Sequence, residues 1–98
     1  MTELLSDDQV TEALQHLPGW QRDGAELHRT VEFEGFPQSI QVVNQIAEIA
    51  ESEDHHPDID IRFNKLTFHL STHWKGGITA KDTSMAQEID NAVGQYGG

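Results

Sequence analysis

Apolar and polar positions along the chain change their period several times, and each change marks an element. Val10, Ala13, Leu14 and Leu17 recur at the i, i+3, i+4, i+7 spacing of a helix with one apolar face, and Pro18-Gly19 ends the run. Ser6 and Gln9 form a capping-box pattern ahead of it, with Leu5 and Val10 placed as a hydrophobic staple. From Trp20 the period shortens. Asp23-Gly24 is a hairpin turn signal, and Leu27, Val31 and Phe33 share the parity of a half-buried strand. Pro37 suits the first turn of a second helix reaching to about Ser52. Asp58 to Phe63 alternates, with Ile59, Ile61 and Phe63 on one face and Asp58, Asp60 and Arg62 on the other. Asn64-Lys65 is the expected turn into a returning strand whose Leu66, Phe68 and Leu70 face away from Thr67, His69 and Ser71. After Gly76-Gly77, Thr79 and Asp82 make a second capping-box pattern, and Met85, Ala86, Ile89, Ala92 and Val93 form the stripe of a third helix. The closing GQYGG reads as a loose tail.

The order helix-strand-strand-helix-strand-strand-helix, with hairpins joining paired strands, predicts one α+β domain over residues 1–98: an antiparallel four-stranded sheet with helices packed on one face. The second helix carries a surplus. Its Ile40, Val42, Val43, Ile46, Ala47, Ile49 and Ala50 cover roughly half the circumference, wider than one sheet contact requires. Another subunit or a second contact within the chain accounts for that equally well. On the first alternative, charge at Val42 or Ile46 abolishes assembly.

Composition narrows the function classes. At 98 residues the chain buries a smaller fraction of its surface than a longer one, so association into an oligomer would help. Six basic against 17 acidic residues give a net charge of -11, which opposes direct binding of DNA or RNA. The absence of cysteine removes disulfides, thiolate metal sites and cysteine nucleophiles together. The stretch MTELLSDDQV is too acidic and polar for a signal peptide, and no apolar run approaches the ~18 residues of a membrane span. A cytoplasmic protein that does not enter membranes is expected.

Candidate chemistry concentrates between Glu51 and Asp82, where four of the six histidines, His55, His56, His69 and His73, fall within nineteen residues. Imidazole, with an ordinary pKa of about 6.5, exchanges protons near neutrality. His55, His56 and His73 sit at the ends of elements, where loops present side chains to a cleft, and Glu51 lies one helical turn before His55, close enough to orient an imidazole. Adjacent histidines diverge, and His69 and His73 are about 13 Å apart on an extended strand, so no metal site is expected. His16 and His28 have no neighbours of interest, and His69 reads as a surface or interface residue. Trp20 is either a packing residue or a stacking wall. Ser71 and Thr72 lie near His73, but without a Gly-x-Ser-x-Gly elbow they do not make a nucleophile. The amides opening the third helix remain open to an anion or a carbonyl oxygen.

Glu51, His55, His56, Pro57, Phe63, His73 and Asp82 stand in the pattern of an acidic residue, three residues, His-His-Pro, then an aromatic, a His and an Asp. Together with EFEGF, the Ala50-Glu51 pair, LSTH, GGIT and the segment from Ala86 to Asp90, this resembles the pterin-4a-carbinolamine dehydratases, also known in animals as the dimerization cofactor of a homeodomain transcription factor. The resemblance runs from Trp20 to Val93; Val43, where an aromatic is frequent, and Trp74-Lys75, in a variable place, depart from it. It implies dehydration of 4a-hydroxy-tetrahydropterin to quinonoid dihydropterin, with the pterin as substrate and no cofactor. It further implies proton transfer by His55 and His73, substrate holding by His56, orientation of a histidine by Glu51, and a pocket lined by Trp20, Ser71, Thr72 and Asp82. Asp82 also has a capping role that needs no ligand. A homodimer or homotetramer through the second helix and a sheet edge is expected. The alternative is a non-catalytic oligomer that binds a pterin or a regulator, like a transcriptional cofactor or a protein of molybdenum-cofactor metabolism.

Overall fold

The computed structural model describes residues 3–96. Three helices and four strands follow in the expected order: α1 (Asp7–Leu14), β1 (Gln21–Asp23), β2 (Glu26–Glu32), α2 (Phe36–Glu53), β3 (Asp58–Arg62), β4 (Lys65–Leu70) and α3 (Ala80–Gln95), with a short 3-10 turn at His73–Lys75 before α3. Both capping boxes form. The Ser6 hydroxyl accepts from the Gln9 N–H while the Gln9 side chain accepts from the Ser6 N–H, and Thr79 and Asp82 do the same for α3.

The strands lie in the order β1-β2-β4-β3, every neighbour antiparallel. Leu27 and Val31 of β2, with Leu66, Phe68 and Leu70 of β4, share the buried face. Against them pack Val42, Ile46 and Ala50 of α2 and Met85, Ile89 and Val93 of α3. Each fully buried side chain of this size contributes about 1.5–3 kcal/mol, so this layer rather than the surface ion pairs holds the helices to the sheet. The opposite face carries Glu26, His28, Thr30, Asp60, Thr67 and His69, which are exposed or half-buried. Among the described residues no helix is long and apolar enough to cross a membrane.

Four details differ from the pattern-based expectation. The β3–β4 turn is Phe63-Asn64, because Phe63 takes the left-handed conformation (φ 54°) and Arg62 pairs with Lys65. Phe63 thereby leaves the strand and is 71% exposed, off the face shared by Ile59 and Ile61. Val42 and Ile46 are wholly buried in the intrachain core, so charge there would unfold the monomer rather than test assembly. The part of α2 left over is Phe36, Ile40, Val43 and Ala47, a stripe at helical spacing that is exposed or half-buried. Finally, Gly94 and Gln95 complete α3 and Tyr96 packs against the core; only Gly97 and Gly98 of the expected tail lie outside the described residues.

Candidate active site

One end of the sheet gathers the chain's chemistry. The α2–β3 loop arrives there, β4 departs through the 3-10 turn, and α3 begins. Asp54 caps α2 in the left-handed conformation (φ 51°, ψ 42°), its N–H bonded back to the carbonyls of Ala50 and Glu51. That break in helical register sends the two adjacent histidines different ways. His55 turns inward, 8% exposed, with Nε2 2.6 Å from Asp82 Oδ1. His56 turns outward, with Nε2 2.5 Å from Glu51 Oε2. Helical spacing points Glu51 at His55; the left-handed cap gives it His56 instead.

Asp82 is completely buried, and a carboxylate there requires donors on both oxygens. Oδ2 accepts from the Thr79 N–H and the Thr72 hydroxyl, each at 2.9 Å, while Oδ1 faces His55. Because Thr72 spends its proton on Asp82, the 2.8 Å contact between the two threonine hydroxyls is donated by Thr79. Thr79 Oγ1 accepts in turn from the Lys81 N–H. A carboxylate at Asp82 has no proton to give, so the His55 bond is donated by Nε2–H. Asp82 therefore combines capping with the orientation of a histidine. At the start of α3 the N–H groups of Thr79, Lys81, Asp82 and Thr83 bond within the cap.

A cavity of about 220 Å³ opens beside this network, lined by Asp54, His55 and His56 on one side and Ser71, Thr72, His73 and Trp74 on the other. Of the residues expected in the site, His55, His56, His73, Ser71 and Thr72 border this space, while Glu51 and Asp82 stand behind His56 and His55. His73 is largely exposed, its Nε2 4.0 Å from Asp58 Oδ2. The Ser71 hydroxyl donates to the Ala25 carbonyl at 2.8 Å, tying β4 to the β1–β2 turn. Trp20 is not brought to this cavity: it is buried in the core, where its indole N–H donates to Asp90 Oδ1 at 2.8 Å, beside the Arg29 guanidinium bound to the same oxygen. Sequence reasoning missed Trp74 and Asp58. Trp74 is 70% exposed because the 3-10 turn takes it out of strand alternation. An exposed tryptophan beside a candidate base was the available signal. Among the described residues no three His, Asp or Glu side chains converge in a way that could hold a metal ion.

His69 lies on the outer sheet face. Its Nδ1 is 2.7 Å from Glu26 Oε2 and its Nε2 2.8 Å from Asp60 Oδ2. Only the imidazolium donates from both nitrogens, and the Glu26 hydrogen bond raises its pKa, opposed by desolvation and assisted by Asp60. His28 stacks on it with ring centroids 6.4 Å apart, so His28 does have a neighbour of interest.

Comparison with known proteins bears on family and fold. The profile of a family described as Pterin 4 alpha carbinolamine dehydratase matches residues 3–92. A protein of Nocardia farcinica provisionally named pterin-4-alpha-carbinolamine dehydratase is 55% identical over 89 residues, covering 91% of this chain and 94% of its own. A protein of Mycobacteroides abscessus with the same provisional name is 55% identical over 92 residues, covering 94% and 98%. Among solved structures, a transcriptional coactivator/pterin dehydratase from Brucella melitensis superposes with a TM-score of 0.89 at 30% identity, over 92% of this chain and 98% of that one. A pterin dehydratase-like RuBisCO assembly factor of the alpha-carboxysome, at 18% identity and a TM-score of 0.64 over 76% and 87%, shares the fold.

Proposed function

The chain belongs to the pterin-4a-carbinolamine dehydratase family, and we propose that it removes water from 4a-hydroxy-tetrahydropterin by metal-free histidine acid/base catalysis, in the recycling of a tetrahydrobiopterin-type cofactor. The observation that carries this reading is the convergence of His55, His56 and His73 on one cavity, the first two each backed by a carboxylate. At about 220 Å³ the space is below the usual 300–1,000 Å³ of ligand pockets and suits a flat bicyclic head with its substituent left outside.

The reaction needs two proton transfers on one ring. The C4a–O bond breaks as the leaving hydroxyl takes a proton from an imidazolium; N5–H gives its proton to a neutral imidazole, and its electron pair closes the C4a=N5 double bond. His55 through Nδ1 and His73 are assigned to these transfers. The solvent exposure of His73 lets the pair exchange protons with water and reset. His56, held by Glu51, positions the substrate. Trp74 offers a face for the ring, the part first expected of Trp20. General acid/base assistance of this kind is worth on the order of 10² to 10⁴ in rate.

The test is the dehydration rate with wild type, His55→Ala, His56→Ala and His73→Ala from about pH 5 to about pH 9, the range that brackets imidazole titration. Acceleration by the wild type that collapses in His55→Ala and His73→Ala is expected. A wild type that binds a pterin without accelerating the reaction overturns the enzyme in favour of a binding protein.

A second reading concerns assembly, and the exposed α2 stripe favours it. Phe36 at 47% exposure, with Ile40, Val43 and Ala47, presents an apolar line that the monomer covers only in part, Val43 packing against the core. Edge strand β3 is self-complementary on either side of its centre. Paired antiparallel with a second copy about Asp60, it sets Asp58 opposite Arg62 and Ile59 opposite Ile61, twice each, while the central Asp60, bonded to His69, faces its own copy. A homo-oligomer through the second helix and this sheet edge accounts for both, and the same helix face is where a regulator would dock.

A further inference from the structure

We propose that the β1–β2 hairpin selects the substituent on the pterin, admitting neutral hydroxyl-bearing groups and rejecting anionic ones such as a glutamyl or phosphate tail. The proposal rests on the dehydratase reading and goes on to name the substrate class. A second cavity, of about 370 Å³, is lined by Asp23, Ala25, Glu26, Ser71 and His73. It meets the histidine cavity at Ser71 and His73, which line both. A ring held against His73 therefore has this space beside it for whatever the ring carries.

The lining decides what fits. Asp23 and Glu26 face each other in register across the hairpin. The hairpin is fixed rather than mobile. Gly24 takes the left-handed conformation the turn demands (φ 61°), Arg22 Nε donates to the Gly24 carbonyl at 2.8 Å, and Ser71 donates to the Ala25 carbonyl. One Glu26 oxygen is engaged by His69, which leaves the other free to accept. The one lining group able to carry positive charge is His73, and it already has Asp58 nearby. Hydroxyls entering here find carboxylate acceptors, whereas an anion meets the Asp23 carboxylate and a Glu26 carboxylate whose charge the His69 imidazolium offsets in part, in a protein of net charge -11. At separations of several Å near a surface, Asp23 should cost an anionic substituent roughly three- to tenfold, and the paired Glu26 less.

The experiment measures kcat/KM for 4a-hydroxy-tetrahydropterins bearing a methyl, a dihydroxypropyl or a carboxylate-ended substituent, in wild type, Asp23→Asn, Glu26→Gln and, as a control for net charge, Glu48→Gln on α2. The expected result is a wild-type preference of roughly three- to thirtyfold for the dihydroxypropyl over the carboxylate-ended substrate. Asp23→Asn should narrow it about three- to tenfold and Glu26→Gln by a smaller factor, with the ratio unmoved in Glu48→Gln. Equal kcat/KM for the two substrates, or a ratio indifferent to both hairpin variants, overturns the proposal. Failure to accelerate even the methyl substrate sinks the dehydratase reading instead. The same ratios, read from binding of the corresponding dihydropterins, then still decide selection by the hairpin.

Discussion

Replacing Asp82 separates what holds the site from what the site does. In Asp82→Ala three donors lose their acceptor: the Thr79 N–H, the Thr72 hydroxyl and His55 Nε2–H. Thr79 and Thr72 are at most 1% exposed and His55 8%, so water replaces the carboxylate poorly. With about 1–3 kcal/mol for each buried donor left unmade, the loss comes to about 3–9 kcal/mol. Against the 5–15 kcal/mol typical of a domain this should lower Tm by roughly 15 °C or more, read by circular dichroism. Asp82→Asn behaves differently. Its amide oxygen takes over the Oδ2 role toward Thr79 and Thr72, keeping the cap, while its NH₂ points at His55 Nε2 and demands a lone pair there. Stability should fall by only about 1 kcal/mol, whereas the proton on His55 moves to Nδ1 and turnover drops by about a hundredfold. The ¹⁵N shifts of the imidazole report the tautomer directly. A wild type with the proton on Nδ1, or an Asp82→Ala variant as stable as wild type, refutes the network as drawn.

Three further outcomes follow from the same geometry. His69 has a raised pKa, so its contribution to stability is complete below the unfolded value of about 6.5 and is lost as pH rises through the higher folded one. The gap in urea midpoint between wild type and His69→Gln should therefore shrink from pH ~6 to pH ~9, and a gap that widens contradicts the doubly donating imidazolium. Glu51→Gln, at a pair exposed on both sides, should change stability by less than about 0.5 kcal/mol while raising KM more than it lowers kcat; steady-state kinetics that show the reverse would place Glu51 in the chemical step. Ile40→Glu with Ala47→Glu should leave helix content intact and reduce the mass seen by sedimentation, and an unchanged mass removes the α2 stripe from assembly.

The fold was legible because its signals are local. Two capping boxes, a Pro at the first turn of α2 and clean alternation in β2 and β4 each act within a few residues, and each formed. The β3–β4 turn was misplaced by one residue for an equally local reason. Asn is the residue expected in the left-handed region, yet Phe63 occupies it. Which residues met in the site was less legible, since Asp82 reaches His55 across 27 residues of chain and only the packed α2, β4 and α3 decide that contact. The Val42 and Ile46 error has the same origin. An apolar helix position looks identical in sequence whether it faces the sheet or another copy.

The two adjacent histidines show how one backbone angle divides labour. Had α2 continued one more turn, His55 would lie over Glu51 at i+4, both of them on the exposed side, and Asp82 would be a buried carboxylate lacking a donor on Oδ1. The left-handed Asp54 prevents this. It drops His55 against a carboxylate that is shielded from water, which fixes tautomer and ring, and leaves His56 on a solvated pair able to adjust. A buried imidazole bonded through Nε2 alone suits proton transfer at a defined atom, and an exposed one suits holding a substrate that must enter and leave. Asp54 has φ > 0, where glycine is tolerated and β-branched residues are not. Asp54→Gly should therefore preserve activity within about twofold, whereas Asp54→Val should restore helical register, pull His55 from Asp82 and lower both Tm and kcat. Equal activity in the two variants would show that the cap does not set the histidines.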